Sequence, residues 1–222
     1  MRPYWRKIAW NLEDGHLRIA ARFLVHQFSE TYHEWRLGTD TDKWIAADKL
    51  GLGESDQNHY DATDFHGFQK VLKRLRPDPA AHVLFEPGCG MGRAVVVAAV
   101  FPFRRVIGVE FSPMLADIAR QNVARARRHL RCKDVTIAQG DATTYAIPAD
   151  VTHAYCYIRG ELLAKVLANL KVSAKTVARP LTIIVKNPSC LEAVGGRLDW
   201  ATHLWDSPSR YGGDYAIFEA AP

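Results

Sequence analysis

The run Glu86-Pro87-Gly88-Cys89-Gly90-Met91-Gly92 follows a short apolar strand and opens a helical stretch. Small residues at such a junction let a ligand press against the backbone at the carboxyl edge of the sheet, where open α/β folds bind ligands. The spacing is G-x-G-x-G rather than the G-x-G-x-x-G of dinucleotide enzymes. Glu86, two residues before the first glycine, would repel a pyrophosphate; it suits a ligand carrying a cationic amine and a sulfonium. Glu110 stands 22 residues after Gly88 at the end of the next strand, where an acid can accept both hydroxyls of a ribose. Gly140-Asp141-Ala142 follows a third strand, and there the Asp141 carboxylate and the adjacent amide would fix an adenine edge. Strand-end acids and glycine turns are common singly. Three in order on three successive strands form a constellation.

Further candidates lie downstream. Tyr155 and Tyr157 share one face if their segment is a strand, and would place an aromatic face beside a sulfonium, a contact of roughly 0.5–2 kcal/mol; filling the sheet–helix interface is the competing role. His153, Asn187 and Ser189 lie near strand ends and could orient an acceptor, with Asn187-Pro188-Ser189 the best placed of them. Tyr4, Trp5, Trp10, Tyr32 and Trp35 suit helix packing better than a lid. No His/Cys/Asp/Glu group has metal-ligand spacing, so no metal is expected. Cys89, Cys132, Cys156 and Cys190 are too widely spaced for a zinc knuckle or a redox pair, and read as reduced thiols.

The elements that must hold these residues follow from pattern. Residues 15–36 carry Leu17, Ala20, Leu24 and Phe28 on one stripe, widened by Phe23, Tyr32 and Trp35, which predicts an amphipathic helix with that stripe inward. A second helix is expected after the Thr63-Asp64 cap, to about Arg76, with Phe65, Phe68, Val71, Leu72 and Leu75 inward. From His82 onward short strands alternate with helices. Strands are expected at Val83–Phe85, Arg105–Glu110, Val135–Ala138, Ala154–Tyr157 and Leu181–Val185, with helices over 91–101, from Ser112-Pro113 to about His129, and over 160–172. A hairpin is expected between Leu198 and Phe218. That alternation predicts a parallel, doubly wound sheet, as residues 80–222, behind an N-terminal helical cap over residues 1–79.

Composition bounds the function classes. The chain has 222 residues, 48% hydrophobic and 24% charged, an ordinary globular balance that excludes disorder and fibrous repeats. No apolar run approaches the ~20 residues that span a bilayer, and no secretory h-region follows the basic start; a cytoplasmic protein without a membrane partner is expected. The net charge of +5 is accounted for by Arg120, Arg125, Arg127, Arg128, Arg131 and Lys133, the first 80 residues being neutral. Cations at a helix carboxyl end are favoured by the dipole, so this run reads as a solvated cap and argues against a nucleic-acid partner.

Over roughly residues 80–187 the sequence resembles the class I S-adenosylmethionine (SAM)-dependent methyltransferase superfamily. The stretch Phe103-Arg104-Arg105-Val106-Ile107-Gly108-Val109-Glu110-Phe111-Ser112-Pro113 looks like a group of small bacterial members distantly related to histone-lysine methyltransferases. The resemblance implies a Rossmann-like class I methyltransferase fold with SAM as cosubstrate. It places Glu86, Gly88, Cys89, Gly90 and Gly92 around the methionine moiety, Glu110 on the ribose, Asp141 with Ala142 at adenine, and Phe111 flanking the base. Tyr60, in Asn58-His59-Tyr60-Asp61-Ala62-Thr63, looks like the residue that reaches over the cofactor in related proteins. The Asn/Asp-Pro-Pro-aromatic motif of many amino-group methyltransferases is replaced by Ala154-Tyr155-Cys156-Tyr157, which argues against adenine- or glutamine-type N-methylation. Methylation of a small-molecule amine or aromatic carbon is the leading reading. The alternatives are a SAM cyclase releasing methylthioadenosine and azetidine-2-carboxylic acid, a SAM-binding sensor without turnover, and a nucleic-acid or protein-lysine methyltransferase. No oligomeric state is selected.

Overall fold

The computed structural model describes residues 17–42, 62–175, 179–196, 198–209 and 213–221. Seven strands form one sheet in the order β3-β2-β1-β4-β5-β7-β6. In chain order the elements are α1 (Leu17–Leu37), α2 (Phe65–Leu75), β1 (Val83–Pro87), α3 (Arg93–Ala99), β2 (Arg105–Glu110), α4 (Pro113–Ala126), β3 (Asp134–Gln139), β4 (His153–Cys156), α5 (Gly160–Ala174), β5 (Leu181–Lys186), β6 (Thr202–Ser207) and β7 (Tyr215–Ala220). Strands β1 to β5 are parallel, and β7 enters antiparallel between β5 and β6. Chain order reverses at β1, whose neighbours are β2 and β4, so the carboxyl ends of those strands border a crevice.

Both sheet faces are covered, which is why the central strands read as continuous apolar runs. Leu84, Val106, Tyr155, Ile184 and Ile217 face α2, α3 and α4; Val83, Phe85, Ile107, Ala154 and Ile183 face α5. Period-two alternation divides each strand between the two cores. Helix α2 starts as expected: Asp64 caps it, its Oδ1 accepting the Gly67 N–H at 2.5 Å, and Phe65, Phe68, Val71 and Leu72 are buried. Its apolar face shares one core with α3 and Tyr155.

Helix α1 forms where the pattern places it but turns the other way. Val25, Phe28, Tyr32 and Trp35 of its apolar side are exposed, Phe28 at 74% and Trp35 at 77%, and so in part is Leu24. The inward side carries Glu30, Glu34 and Leu37 instead. The cause is electrostatic: Arg93, almost wholly buried at the start of α3, requires anionic partners, and those two glutamates supply them.

Candidate functional site

The site is built at the tips of β1 and β2. After Pro87 the chain turns through Gly88, Gly90 and Gly92, all left-handed, with φ of 67°, 53° and 82°. Side chains other than glycine rarely adopt that region. At Gly92 space adds a second reason, since a Cβ would stand 3.0 Å from the Ala119 Cβ where α4 crosses. Cys89 lies in the turn, but its side chain faces Gly108 of β2 and its N–H donates to Val109 O at 2.9 Å. Cys89 therefore fastens the turn to the sheet, and burial pushes its thiol up.

Glu86, one residue before the end of β1, is buried and its Oε2 has no hydrogen-bond partner. Burial, and then the neighbouring Glu110 carboxylate, hold its pKa well above the ordinary carboxylate range. An orphaned carboxylate oxygen at a ligand edge is a strong demand for a donor or a cation. Glu110 differs. Its Oε2 accepts the Gly90 N–H at 2.7 Å and its Oε1 accepts the Ser112 N–H at 2.9 Å. Burial raises its pKa while these amides pull it back. Carboxylate oxygens accept more than one bond each, so capacity for two further hydroxyl donors remains.

The neighbouring loops complete the crevice. Glu110 O accepts the Gly140 N–H at 2.9 Å, drawing the turn after β3 against the tip of β2. Within that turn Asp141 Oδ1 accepts both the N–H and the hydroxyl of Thr143, at 2.8 and 2.7 Å. Ala142 packs beside Tyr145, and its carbonyl accepts the Asn169 side-chain amide. Phe111 projects half-exposed from the tip of β2. Tyr60 lies outside the described residues.

At the tips of β4 and β5 the two tyrosines do share a face. Tyr155 is fully buried, its ring 4.3 Å from that of Phe68 and its hydroxyl 2.8 Å from Thr63 Oγ1. Tyr157 is half-buried, and two cations of the chain itself lie over its ring: Lys186 Nζ at 4.7 Å and the Arg159 guanidinium at 5.9 Å from the centroid. Lys186 also bonds Asp64 Oδ2 at 3.0 Å, and the same oxygen accepts the Tyr215 hydroxyl at 2.8 Å. Asn187, with φ of 56°, is one of two left-handed residues other than glycine among the described residues. Its Oδ1 lies against Gly213, where any Cβ would collide with it. His153 sits at the opposite edge, at the start of β4, bonded to Thr152 and edge-on to His82 and Phe103. It cannot orient an acceptor from there, and burial takes its pKa down to about 3.

Two buried ionic clusters were not anticipated. Arg93 donates to Glu30 Oε2 at 2.6 Å, Glu34 Oε1 at 3.1 Å, Thr41 Oγ1 at 2.6 Å and Thr63 O at 3.2 Å. The second is the Lys186–Asp64–Tyr215 set. One local signal for it exists, Gly67 in the first turn of α2: a Cβ there would stand 2.9 Å from the Tyr215 ring. No group of three or more His, Cys, Asp or Glu side chains able to hold a metal occurs among the described residues, and no described helix is long and apolar enough to cross a membrane.

Comparison with solved structures follows this geometry. An RNA methyltransferase from Salinibacter ruber, in complex with S-adenosyl-L-homocysteine, superposes with a TM-score of 0.52 at 20% identity, over 72% of this chain and 92% of that one. An O-methyltransferase from Bacillus cereus, also in complex with S-adenosylhomocysteine, gives 0.53 at 16% identity, over 76% of this chain and 86% of that one. The chain has the class I methyltransferase fold. No protein-family model matches it, and no curated protein does so significantly. Identities this low carry the fold alone. Glu86 presents an unpartnered carboxyl oxygen and Glu110 retains acceptor capacity, and in the turn between them Gly88 is exposed while Gly90 and Gly92 are buried.

Proposed function

We propose that the protein transfers the methyl group of SAM to a small molecule, through an amine or an aromatic carbon. The observation that carries this reading is the pair of buried carboxylates at adjacent strand tips, one with an unpartnered oxygen and one preset by two backbone amides. Their separate environments suit the two polar ends of one ligand, an ammonium and a ribose diol. Asp141 and Ala142 would take the adenine edge, with Phe111 covering the base. When bound, SAM would supply a methyl carbon on a sulfonium; the S–C electron pair would stay on sulfur as the lone pair of a neutral amine, or a π pair of an aromatic ring, took the methyl, and the acceptor's proton would pass to solvent.

The chain's part is positioning and exclusion of water. Within the strands β4, β5 and β7 the polar groups behind the crevice bond inward: Lys186 and Tyr215 to Asp64, and Tyr155 to Thr63. That arrangement favours an acceptor already nucleophilic at neutral pH over one needing a strong general base. A small acceptor is supported by the placement of the basic run. Arg131 donates its N–H to Ala99 O at the far end of α3, which puts the run at the edge opposite the glycine turn.

Incubating the purified protein with SAM alone, and following the small molecules by mass spectrometry against a no-protein control, tests the reading. Unconsumed SAM together with measurable S-adenosylhomocysteine binding is expected. Enzyme-dependent methylthioadenosine with azetidine-2-carboxylic acid would overturn methyl transfer and establish internal cyclisation.

A further inference from the structure

A cavity of about 540 Å³ opens beside the proposed cofactor site, lined by Arg159, Gly160, Asn187, Ser189, Cys190 and Glu192. This is within the size range of small-molecule sites. Its walls are the loops that leave β4 and β5 at the same edge, since Cys156 pairs with Val185 across those strands. The link to the glycine turn is direct. Ile158, the residue before Arg159, comes within 3.4 Å of where a Gly88 Cβ would stand. Gly160 in the lining is exposed, and no heavy atom lies within 4 Å of its Cβ position.

The lining is of opposite charges. Arg159 brings a guanidinium, stacked at 5.9 Å over the Tyr157 ring, and Glu192 brings a carboxylate. Ser189 and Asn187 add uncharged polar groups. A guanidinium takes a carboxylate through two parallel N–H bonds, which fixes orientation as well as position. A purely anionic guest would meet Glu192, and a purely cationic one would meet Arg159. A guest with both charges satisfies both walls.

We infer that this cavity is the acceptor subsite and that the acceptor is an amino acid or a close zwitterionic relative. Its carboxylate lies on Arg159, its ammonium lies toward Glu192, and its side chain is directed past Ile158 to the cofactor. The inference rests on the methyl-transfer reading. It adds the acceptor's class to it.

The test is ligand-observed NMR on the wild-type protein, with and without saturating S-adenosylhomocysteine. The probes are each proteinogenic L-amino acid, then tyramine and histamine, which lack the carboxylate, and 3-(4-hydroxyphenyl)propionate, which lacks the amine. At least one amino acid is expected to bind, with the matched probes weaker. Arg159→Ala and Glu192→Gln should each weaken that amino acid by about tenfold or more, leaving S-adenosylhomocysteine affinity unchanged. Absence of amino-acid binding, equal binding of the decarboxylated probes, or indifference to both substitutions would overturn the inference. Failure of wild-type protein to bind S-adenosylhomocysteine is read in a separate titration and would overturn the methyl-transfer reading instead.

Discussion

The Gly90 N–H donates to Glu110 Oε2 at 2.7 Å, so the glycine turn after β1 and the carboxylate ending β2 form one unit. The same carboxylate holds the Ser112 N–H at the entry to α4. A residue expected to bind ribose therefore also sets the shape of the turn that approaches the methionine end.

Glu110→Ala should then weaken S-adenosylhomocysteine more than loss of the ribose contacts alone would. Losing hydrogen bonds to a charged group at about 1.5–3 kcal/mol gives roughly ten- to a hundredfold. Glu110→Gln, which keeps one acceptor oxygen, should fall between. Isothermal titration calorimetry of both variants checks this; equal affinity in Glu110→Ala would remove Glu110 from the site.

Burial, and then the Glu110 carboxylate, make ionisation of Glu86 costly in the folded protein. Its folded pKa is raised, so its contribution to stability is present below the unfolded value of 4.5 and is lost as pH rises toward the folded value. Ligand-free protein should therefore lose stability with rising pH above that value. Glu86→Gln should flatten the loss, melting higher than wild type at neutral pH while binding S-adenosylhomocysteine less well. Thermal melts across pH, with and without ligand, separate the two effects.

Arg93 and its glutamates act as a latch between α1 and the start of α3. Arg93→Met would leave the buried Glu30 and the partly buried Glu34 without their cation, a loss of about 3–5 kcal/mol for breaking a buried pair, to be read by urea unfolding. Burial outweighs Arg93 at Glu30 and raises its pKa from 4.5 to about 7. The Glu30 contribution is thus full below 4.5 and lost as pH rises through about 7. Glu30→Gln should remove that part of the pH slope.

Lys186 and Asp64 predict a double-mutant cycle. Lys186→Met alone leaves the Asp64 carboxylate with the Gly67 N–H and the Tyr215 hydroxyl, and should destabilise by about 3–5 kcal/mol. Adding Asp64→Asn, which keeps a cap acceptor for α2, should cost less than the sum of the two single changes. Strict additivity in chemical denaturation would mean the pair is not coupled.

The sheet and its glycine turn were legible in sequence because both are local. Val83 to Gly92 carries strand, turn and helix start in ten consecutive residues, and Thr63-Asp64 announces the α2 cap directly. The orientation of α1 was not legible. Phe28, Tyr32 and Trp35 make a convincing inward stripe until Arg93, more than fifty residues away, draws Glu30 and Glu34 in. Lys186 directly follows the apolar run Leu181–Val185, and nothing near it in sequence reveals Asp64. Apolar periodicity reports what an element can bury, whereas a distant buried charge decides which face it does bury.

The Asp64 cluster also constrains the order in which the chain can finish folding. Asp64 meets Lys186 across 122 residues and Tyr215 across 151, so the cluster closes only after the largest loops in the topology have closed, a late event on entropic grounds. Until β7 docks, β5 presents an open parallel edge of Leu181–Lys186, and unpaired edges of that kind invite association with other chains. Substitutions that slow the docking of β7 should therefore show themselves first as aggregation during refolding, before any loss of equilibrium stability is measurable.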